Sequence, residues 1–197
     1  MASDRKLHIL TAAQVLFQKK GLGSSTMEDI AKAAGMGKSS LYYYFKSQEE
    51  IFDAVLEIEV GEILQETMRQ MSRQTGLLDK LNAFAIVKFE MTGKRKSLYT
   101  TTESSMDAET LSRYQKLKRI VHLRYLQKES LLLQQLLISG GADKEIKALQ
   151  PDELEHATFI FLSALRGMNR EIILYGKSDE SKSKLLAFCK IYMKGLT

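Results

Sequence analysis

One cysteine, one proline and no tryptophan occur in 197 residues. A single cysteine forms no internal disulfide, which excludes a disulfide-stapled secreted scaffold. With 12 glycines beside the one proline, the chain is short of the turn residues a sandwich or barrel needs every ~8–12 residues. No apolar run approaches the ~18 residues of a membrane span. The opening stretch MASDRKLHILTAA has neither the uninterrupted apolar core nor the small-residue cleavage site of a signal peptide. The expectation is a cytoplasmic chain. Also missing are G-x-G-x-x-G, a Walker loop, G-x-S-x-G and H-E-x-x-H. His8, His122 and His156 fall on separate segments, Cys189 lies in an apolar helix, and no Cys/His cluster has ligand spacing. An enzyme, a cofactor and a metal site are therefore not expected.

What is abundant is helix-forming: Leu, Ala, Glu, Lys, Gln and Met dominate, so an all-α fold is expected. The net charge of +5 is mild but unevenly placed. Residues 1–47 carry seven bases (Arg5, Lys6, Lys19, Lys20, Lys32, Lys38, Lys46) against Asp4, Glu28 and Asp29, a net +4. Residues 48–197 carry 22 bases against 21 acids. A small head that binds nucleic acid on a near-neutral body has this asymmetry, although a solvated basic surface has it too.

Helical periodicity and stop signals divide the chain. A first helix over Asp4–Lys19 ends at Gly21. A second, Met27–Ala34, starts at Ser25 or Thr26, with Ser25 and Glu28 in capping-box spacing. Gly35 ends it in the left-handed conformation glycine tolerates, and a third short helix carries Lys38–Phe45. Two short helices joined by a tight glycine turn behind a first make a helix-turn-helix head over residues 1–47. The body, 48–197, is built of longer helices. One runs from Gln48 to about Gln74, and another over Leu77–Met91. A polar loop or fraying end spans Thr92–Ser105, followed by one or two helices over Asp107–Ser139. Pro151 opens a helix that reaches Tyr175, and a last helix covers about Asp179–Lys194.

The third helix carries the functional signal. A recognition helix presents short polar or aromatic side chains to the major groove from its N-terminal part. Lys38, Ser39, Ser40, Tyr42 and Tyr43 are available for this, with Leu41 and Phe45 as anchors to the head's own core. Ser25, Thr26 and Lys46 suit phosphate contacts. Core filling is the competing role for Tyr42, Tyr43 and Tyr44. Three consecutive helical residues spread over roughly 200° of arc, however, so at least one of them faces outward.

Residues 24–52, SSTMEDIAKAAGMGKSSLYYYFKSQEEIF, resemble the signature of the TetR family of bacterial transcriptional regulators. The resemblance rests on Thr26, Ile30, Ala31, Ala34, Gly35, Leu41, Tyr42, Tyr44, Phe45, Ser47, Glu49 and Glu50, with Ala12, Ala13, Leu16, Phe17 and Gly21 in the opening helix. It implies a homodimeric repressor whose two heads occupy successive major grooves of a double-stranded DNA operator, and whose body binds a small-molecule effector. On the matching positions, Thr26 would hold phosphate, Lys38 and Ser40 would face bases, and Tyr42 and Tyr43 would touch backbone or a thymine methyl. Three positions depart from the pattern: Gly37 stands for a capping Ser, Ser39 for Gly, and Gln48 for Lys.

In the body, the helix to Tyr175 is apolar on two sides: Leu154, Ala157, Phe161, Leu165, Met168, Ile172 and Tyr175 on one, Ile160, Ala164, Gly167 and Leu174 on another. Two apolar sides need two covering surfaces. A two-fold four-helix dimer interface is expected from Phe161, Ala164, Leu165, Gly167, Met168, Leu185, Cys189 and Tyr192, the alternative being burial within one chain. For His156, Asn169 and Arg170, pairing across that interface and a place beside an effector are both open. The effector pocket is expected among residues 77–139, at Glu90, Met91, Tyr99, Met106, His122 and Tyr125, with core filling the alternative for each methionine. A DNA-bound structural protein with the same head and no effector is the competing function.

Overall fold

The computed structural model describes residues 2–20, 23–100, 107–175 and 178–197. Side chains are described for these except at 2–3, 92–100, 110, 173–175 and 178–179. Every regular element among the described residues is helical: α1 (Ala2–Lys20), α2 (Met27–Ala33), α3 (Lys38–Tyr44), α4 (Gln48–Met71), α5 (Leu77–Thr100), α6 (Ala108–Ala142), α7 (Pro151–Tyr175) and α8 (Ser178–Lys194).

Two boundaries differ from the sequence expectation. The stretch expected as a loop from Thr92 is helical to Thr100. It holds one glycine and no proline, and its lysines and arginine are good helix formers, so nothing stops α5 at Met91. Residues 101–106 lie outside the described structure. Asp107–Ser139, left open as one helix or two, is one helix of 35 residues ending at Ala142, about 50 Å long.

The chain divides into two compact units. The first comprises Met1–Gly61 and Arg95–Arg124. Its core is Ile9, Ala13 and Phe17 of α1, Ile30 and Ala31 of α2, Leu41 of α3, Ile51, Phe52 and Val55 of α4, and Tyr114 and Val121 of α6. Phe52 sits at its centre, edge-on to Phe17 at 5.9 Å and to Tyr114 at 5.2 Å. The first half of α6 is thus part of the head's own core. Burial raises the Tyr114 phenol well above its usual pKa. Arg124 holds α6 to α4 by an ion pair with Glu57 at 2.6 Å.

The second unit comprises Glu62–Lys94 and Tyr125–Thr197. Phe161 of α7 is wholly buried there, 5.8 Å from Phe84 of α5, 5.1 Å from Phe188 and 4.8 Å from Tyr192 of α8. The Tyr192 hydroxyl donates to the Ala157 carbonyl at 3.0 Å. The N-terminus of α5 is closed from a distance: the Leu77 amide donates to the Glu145 carboxylate at 2.8 Å. Leu77 also packs onto Gly140, where a Cβ would lie 2.5 Å from its Cδ2, so a larger residue there would have to displace the Leu77 side chain.

Candidate nucleic-acid interface and polar sites of the body

The glycine turn forms as the sequence predicts. Gly35 takes φ +63° between α2 and α3, and the Met36 amide closes the turn on the Ala31 carbonyl at 2.9 Å. The sequence offers Ser25 or Thr26 as the cap of α2. Thr26, not Ser25, is the N-cap, with Asp29 in place of Glu28 as its partner. The Thr26 hydroxyl accepts from the Asp29 amide at 3.1 Å and donates to the Asp29 carboxylate at 2.7 Å, which in turn accepts from the Thr26 amide at 3.0 Å. These bonds, and Lys20 at 3.2 Å, hold the Asp29 carboxyl below its ordinary pKa. Ser25 is buried, so its position does not present a side chain to an outside phosphate.

Gly37 caps α3 with its backbone extended and, having no side chain, makes no side-chain hydrogen bond there. From it, α3 is held by one face: Leu41 is fully buried and Phe45, just past the helix, nearly so. The remaining positions point out. Lys38, Ser39, Ser40 and Lys46 are exposed, and Tyr42 and Tyr43 are 46% and 84% exposed. Tyr43 leans edge-on against Tyr44 at 5.1 Å. Most of the Tyr43 side chain is turned to solvent. At the start of α4, the Ser47 hydroxyl accepts from the Glu50 amide at 3.3 Å and the Glu50 carboxylate accepts from the Lys46 amide at 2.7 Å.

The residues expected at a dimer interface separate into two groups. Phe161, Leu165, Leu185, Cys189 and Tyr192 are buried within the chain itself; they join α7 and α8 to α5 and offer no surface to a second copy. Burial pushes the Cys189 thiol up to about 12. Asn169, a candidate for pairing across the interface, is buried as well. Ala164 and Met168 are half-buried and Gly167 is exposed. Among the described residues, the large apolar side chains that do face outward on these helices are Phe159 (67% exposed), Ile160 (57%), Leu186 (40%) and Ile191 (71%). Of these, the sequence reading had placed Ile160 on the second apolar side of α7.

The expected effector residues are likewise divided. Glu90 and Met91 line a groove of about 980 Å3 between α4, α5 and α8. Its walls include Glu62, Glu66 and Asp79. Arg69 makes a two-pronged pair with Glu66 at 2.6 and 2.7 Å and, with Gln70, holds the Glu66 carboxyl at about 2. His122 is exposed, in the first unit. The side chain of Tyr99 and all of Met106 lie outside the described structure. Tyr125 is half-buried and donates to Glu129 at 2.8 Å.

Glu129 belongs to a buried ionic cluster that the sequence reading missed: Lys88 of α5, Glu129 of α6 and Arg166 of α7. Lys88 and Glu129 are 6% and 1% exposed and hydrogen-bonded to one another. Burial pulls the Lys88 ammonium below its ordinary pKa, against Glu129, which pulls it up. A signal was there. Lys88 follows Leu81, Phe84 and Ala85 at helical spacing, and Glu129 precedes Leu133 and Leu136 in the same way, so each occupies a core position.

Three short helices with a tight glycine turn, a buried anchor and an exposed polar and aromatic face on the third define a helix-turn-helix protein. Residues 9–55 match the family described as bacterial regulatory proteins, tetR family. The uncharacterized HTH-type transcriptional regulator YfiR of Bacillus subtilis (strain 168) is 26% identical over 96% of this chain and 90% of its own length. The HTH-type transcriptional repressor KstR2 of Mycolicibacterium smegmatis is 31% identical over 45% of this chain and 43% of its own length. Two solved structures share the fold. One is the fatty acid degradation regulator FadR from Bacillus halodurans (TM-score 0.67, 18% identity, 98% of this chain and 96% of that one). The other is a TetR/AcrR-family regulator from Thermobifida fusca (TM-score 0.62, 20% identity, 98% and 99%). By its head, residues 9–55, the chain is similar to the tetR family of bacterial regulatory proteins.

Proposed function

We propose that the chain is a dimeric, cytoplasmic repressor that binds a double-stranded DNA operator and is released from it by a small-molecule effector. Residues 1–47 serve as the DNA-binding domain and 48–197 as the effector-binding and dimerisation domain. The observation that carries this reading is the outward face of α3, where Tyr43 is 84% exposed beside Lys38, Ser39, Ser40 and Tyr42 on a helix anchored by Leu41. On it, Lys38 and Ser40 read base edges, Tyr42 and Tyr43 contact sugar, phosphate or a thymine methyl, and Thr26 and Lys46 hold phosphates. Dimerisation uses the exposed apolar side chains Phe159, Ile160 and Ile191, with Gly167 and Ala164 allowing close approach. Two heads so joined would reach half-sites about 34–36 Å apart, and an effector that moves α4 would change that spacing.

The groove beside α5 and the ionic cluster within the body favour an effector-responsive protein over a DNA-bound structural one, for which a sealed body suffices. The test is sequence selection on random DNA with the full chain, followed by binding measured by anisotropy. A two-fold operator is expected, with Tyr43→Ala binding it at least tenfold more weakly at unchanged thermal stability. Equal binding by Tyr43→Ala and by Lys38→Ala would overturn the assignment of α3.

A further inference from the structure

The first turns of α1 are fastened to the helix-turn-helix at two points. The His8 ring donates from Nε2 to the Ala34 carbonyl at 3.1 Å, on the residue before the Gly35 turn. The Lys6 ammonium stands 5.6 Å over the ring of Phe45, the residue that ends α3. Phe45 is 4% exposed, whereas Lys6 is an exposed residue. The ring therefore fixes where the ammonium sits without taking it out of water.

The cations of the head divide into two sets. Lys20 and Lys32 are paired, with Asp29 at 3.2 Å and Glu28 at 3.1 Å. Arg5, Lys6, Lys19, Lys38 and Lys46 make no ion pair among the described residues. Three of these five border α3: Lys38 is its first residue, Lys46 lies two past its last, and Lys6 sits over Phe45 at that same end. The helix is about 10 Å long. Phosphates border the major groove, about 12 Å wide, on both sides, so a helix of this length seated there brings cations at its two ends toward phosphates. The competing duty for Lys6 is internal, as a cation that favours the C-terminal end of α3. That end is already closed, the Phe45 amide donating to the Leu41 carbonyl at 3.0 Å. Lys6 gives none of its three N–H groups to another described residue, so all three are open to an outside acceptor.

We propose that α1 is a further DNA-contacting element, in which Lys6, seated by the Phe45 ring, binds a backbone phosphate beside the C-terminal end of α3. The His8 bond to Ala34 holds the same turns of α1 against the glycine turn. Such a contact carries no sequence preference; it adds affinity and fixes orientation on the duplex. The assignment rests on the reading of α3 as a recognition helix and extends its footprint to a third helix of the head.

The experiment measures the affinity of the full chain for its selected operator and for a scrambled duplex by anisotropy, from 50 to 200 mM salt. Lys6→Gln should flatten the slope of log affinity against log salt by about 0.9, one counterion fewer being released. Its loss of affinity is then about 3.5-fold larger at 50 mM than at 200 mM salt. The preference for operator over scrambled duplex should not change. Lys6→Arg, which keeps the charge, should keep the slope. Lys19→Gln removes the same charge from the same helix about 20 Å away, and its salt line should run parallel to that of wild type. The proposal is overturned if the Lys6→Gln line is itself parallel to wild type, or if Lys19→Gln flattens the slope as much, which makes the effect one of net charge. A Lys6→Gln variant that loses Tm and binds more weakly by one factor at every salt concentration assigns Lys6 to the fold and overturns it too. Tyr43→Ala separates the two readings. If it loses the operator while Lys6→Gln keeps the wild-type slope, α3 stands and α1 falls. If Tyr43→Ala and Lys38→Ala both bind the operator as wild type does, the assignment of α3 falls and that of α1 with it.

Discussion

The polar groups of the helix-turn-helix head and those of the α5–α6–α7 ionic cluster are placed in opposite ways. In the first, Lys38, Ser39, Ser40, Lys46 and Tyr43 stand outside a small apolar core, and the ion pairs Lys20–Asp29 and Lys32–Glu28 are solvated. Such pairs contribute little to stability, so the head's surface is free to answer to an external partner. In the second, Lys88 and Glu129 lie inside, where each depends on the other. Removing one leaves an uncompensated buried charge, which costs about 3–5 kcal/mol. The head's polar groups are turned to solvent; Lys88 and Glu129 in the body are bound into the fold.

The largest test of this contrast is therefore Glu129→Ala. It is expected to lower unfolding free energy by about 3–5 kcal/mol in urea denaturation, whereas Lys20→Ala shifts the midpoint little. The paired replacement Lys88→Met with Glu129→Leu should recover most of the loss, because it removes both charges together. If Glu129→Ala and Lys20→Ala prove alike, the distinction between the units fails.

The next test moves to the outer face of the body. A side chain at Gly167 meets no atom within 4 Å in the chain itself. Gly167→Leu should leave the folded protomer intact, or firmer by the helix propensity it gains. Dimerisation should nevertheless weaken by tenfold or more in sedimentation, since a leucine there separates helices that need to approach closely. A variant still dimeric at micromolar concentration would move the interface elsewhere.

Much of the head was legible because its signals are local. Gly35 at a left-handed turn, Leu41 and Phe45 four residues apart, and a tyrosine run too wide for one core are read within a few positions. The cap of α2 was legible to two adjacent residues, because Ser25 and Thr26 each have an acid three places on, and only tertiary packing decides which hydroxyl stays outside. The body was less legible for the same physical reason in reverse. Its ionic cluster joins residues 41 apart, Lys88 and Glu129, and then a third helix at Arg166. Periodicity marked Phe161, Leu165, Leu185 and Tyr192 as apolar-facing but not whether the surface they meet belongs to the same chain. That question is one of helix count and crossing, which no short window contains.

Within the head, Thr26→Ala should cost roughly 1 kcal/mol, the usual worth of an N-cap side chain. It carries a pH signature. The Asp29 carboxyl sits below its ordinary pKa because Thr26, Lys20 and the backbone favour its charged form. Its contribution is whole above the ordinary Asp value of about 4 and fades as pH falls below it. The gap between wild type and Thr26→Ala should thus narrow from pH 6 to pH 3. A gap constant across that range would mean that the cap acts without Asp29.

The smallest expected effect tests how far the DNA-facing surface of the head extends. Gln48 is the first residue of α4, half-buried, where the family signature has lysine. If the N-terminus of α4 lies against a phosphate, Gln48→Lys adds one charged contact and releases about one more counterion. The slope of log affinity against log salt should then steepen by about 0.9, with several-fold tighter binding at 50 mM salt and little gain at 200 mM. The cost to the helix is small, because a cation at an N-terminus loses only some tenths of a kcal/mol, and Glu49 and Glu50 beside it offset part of that. Parallel salt lines for the two proteins would leave α4 outside the DNA-facing surface, as the connection to the body and nothing more.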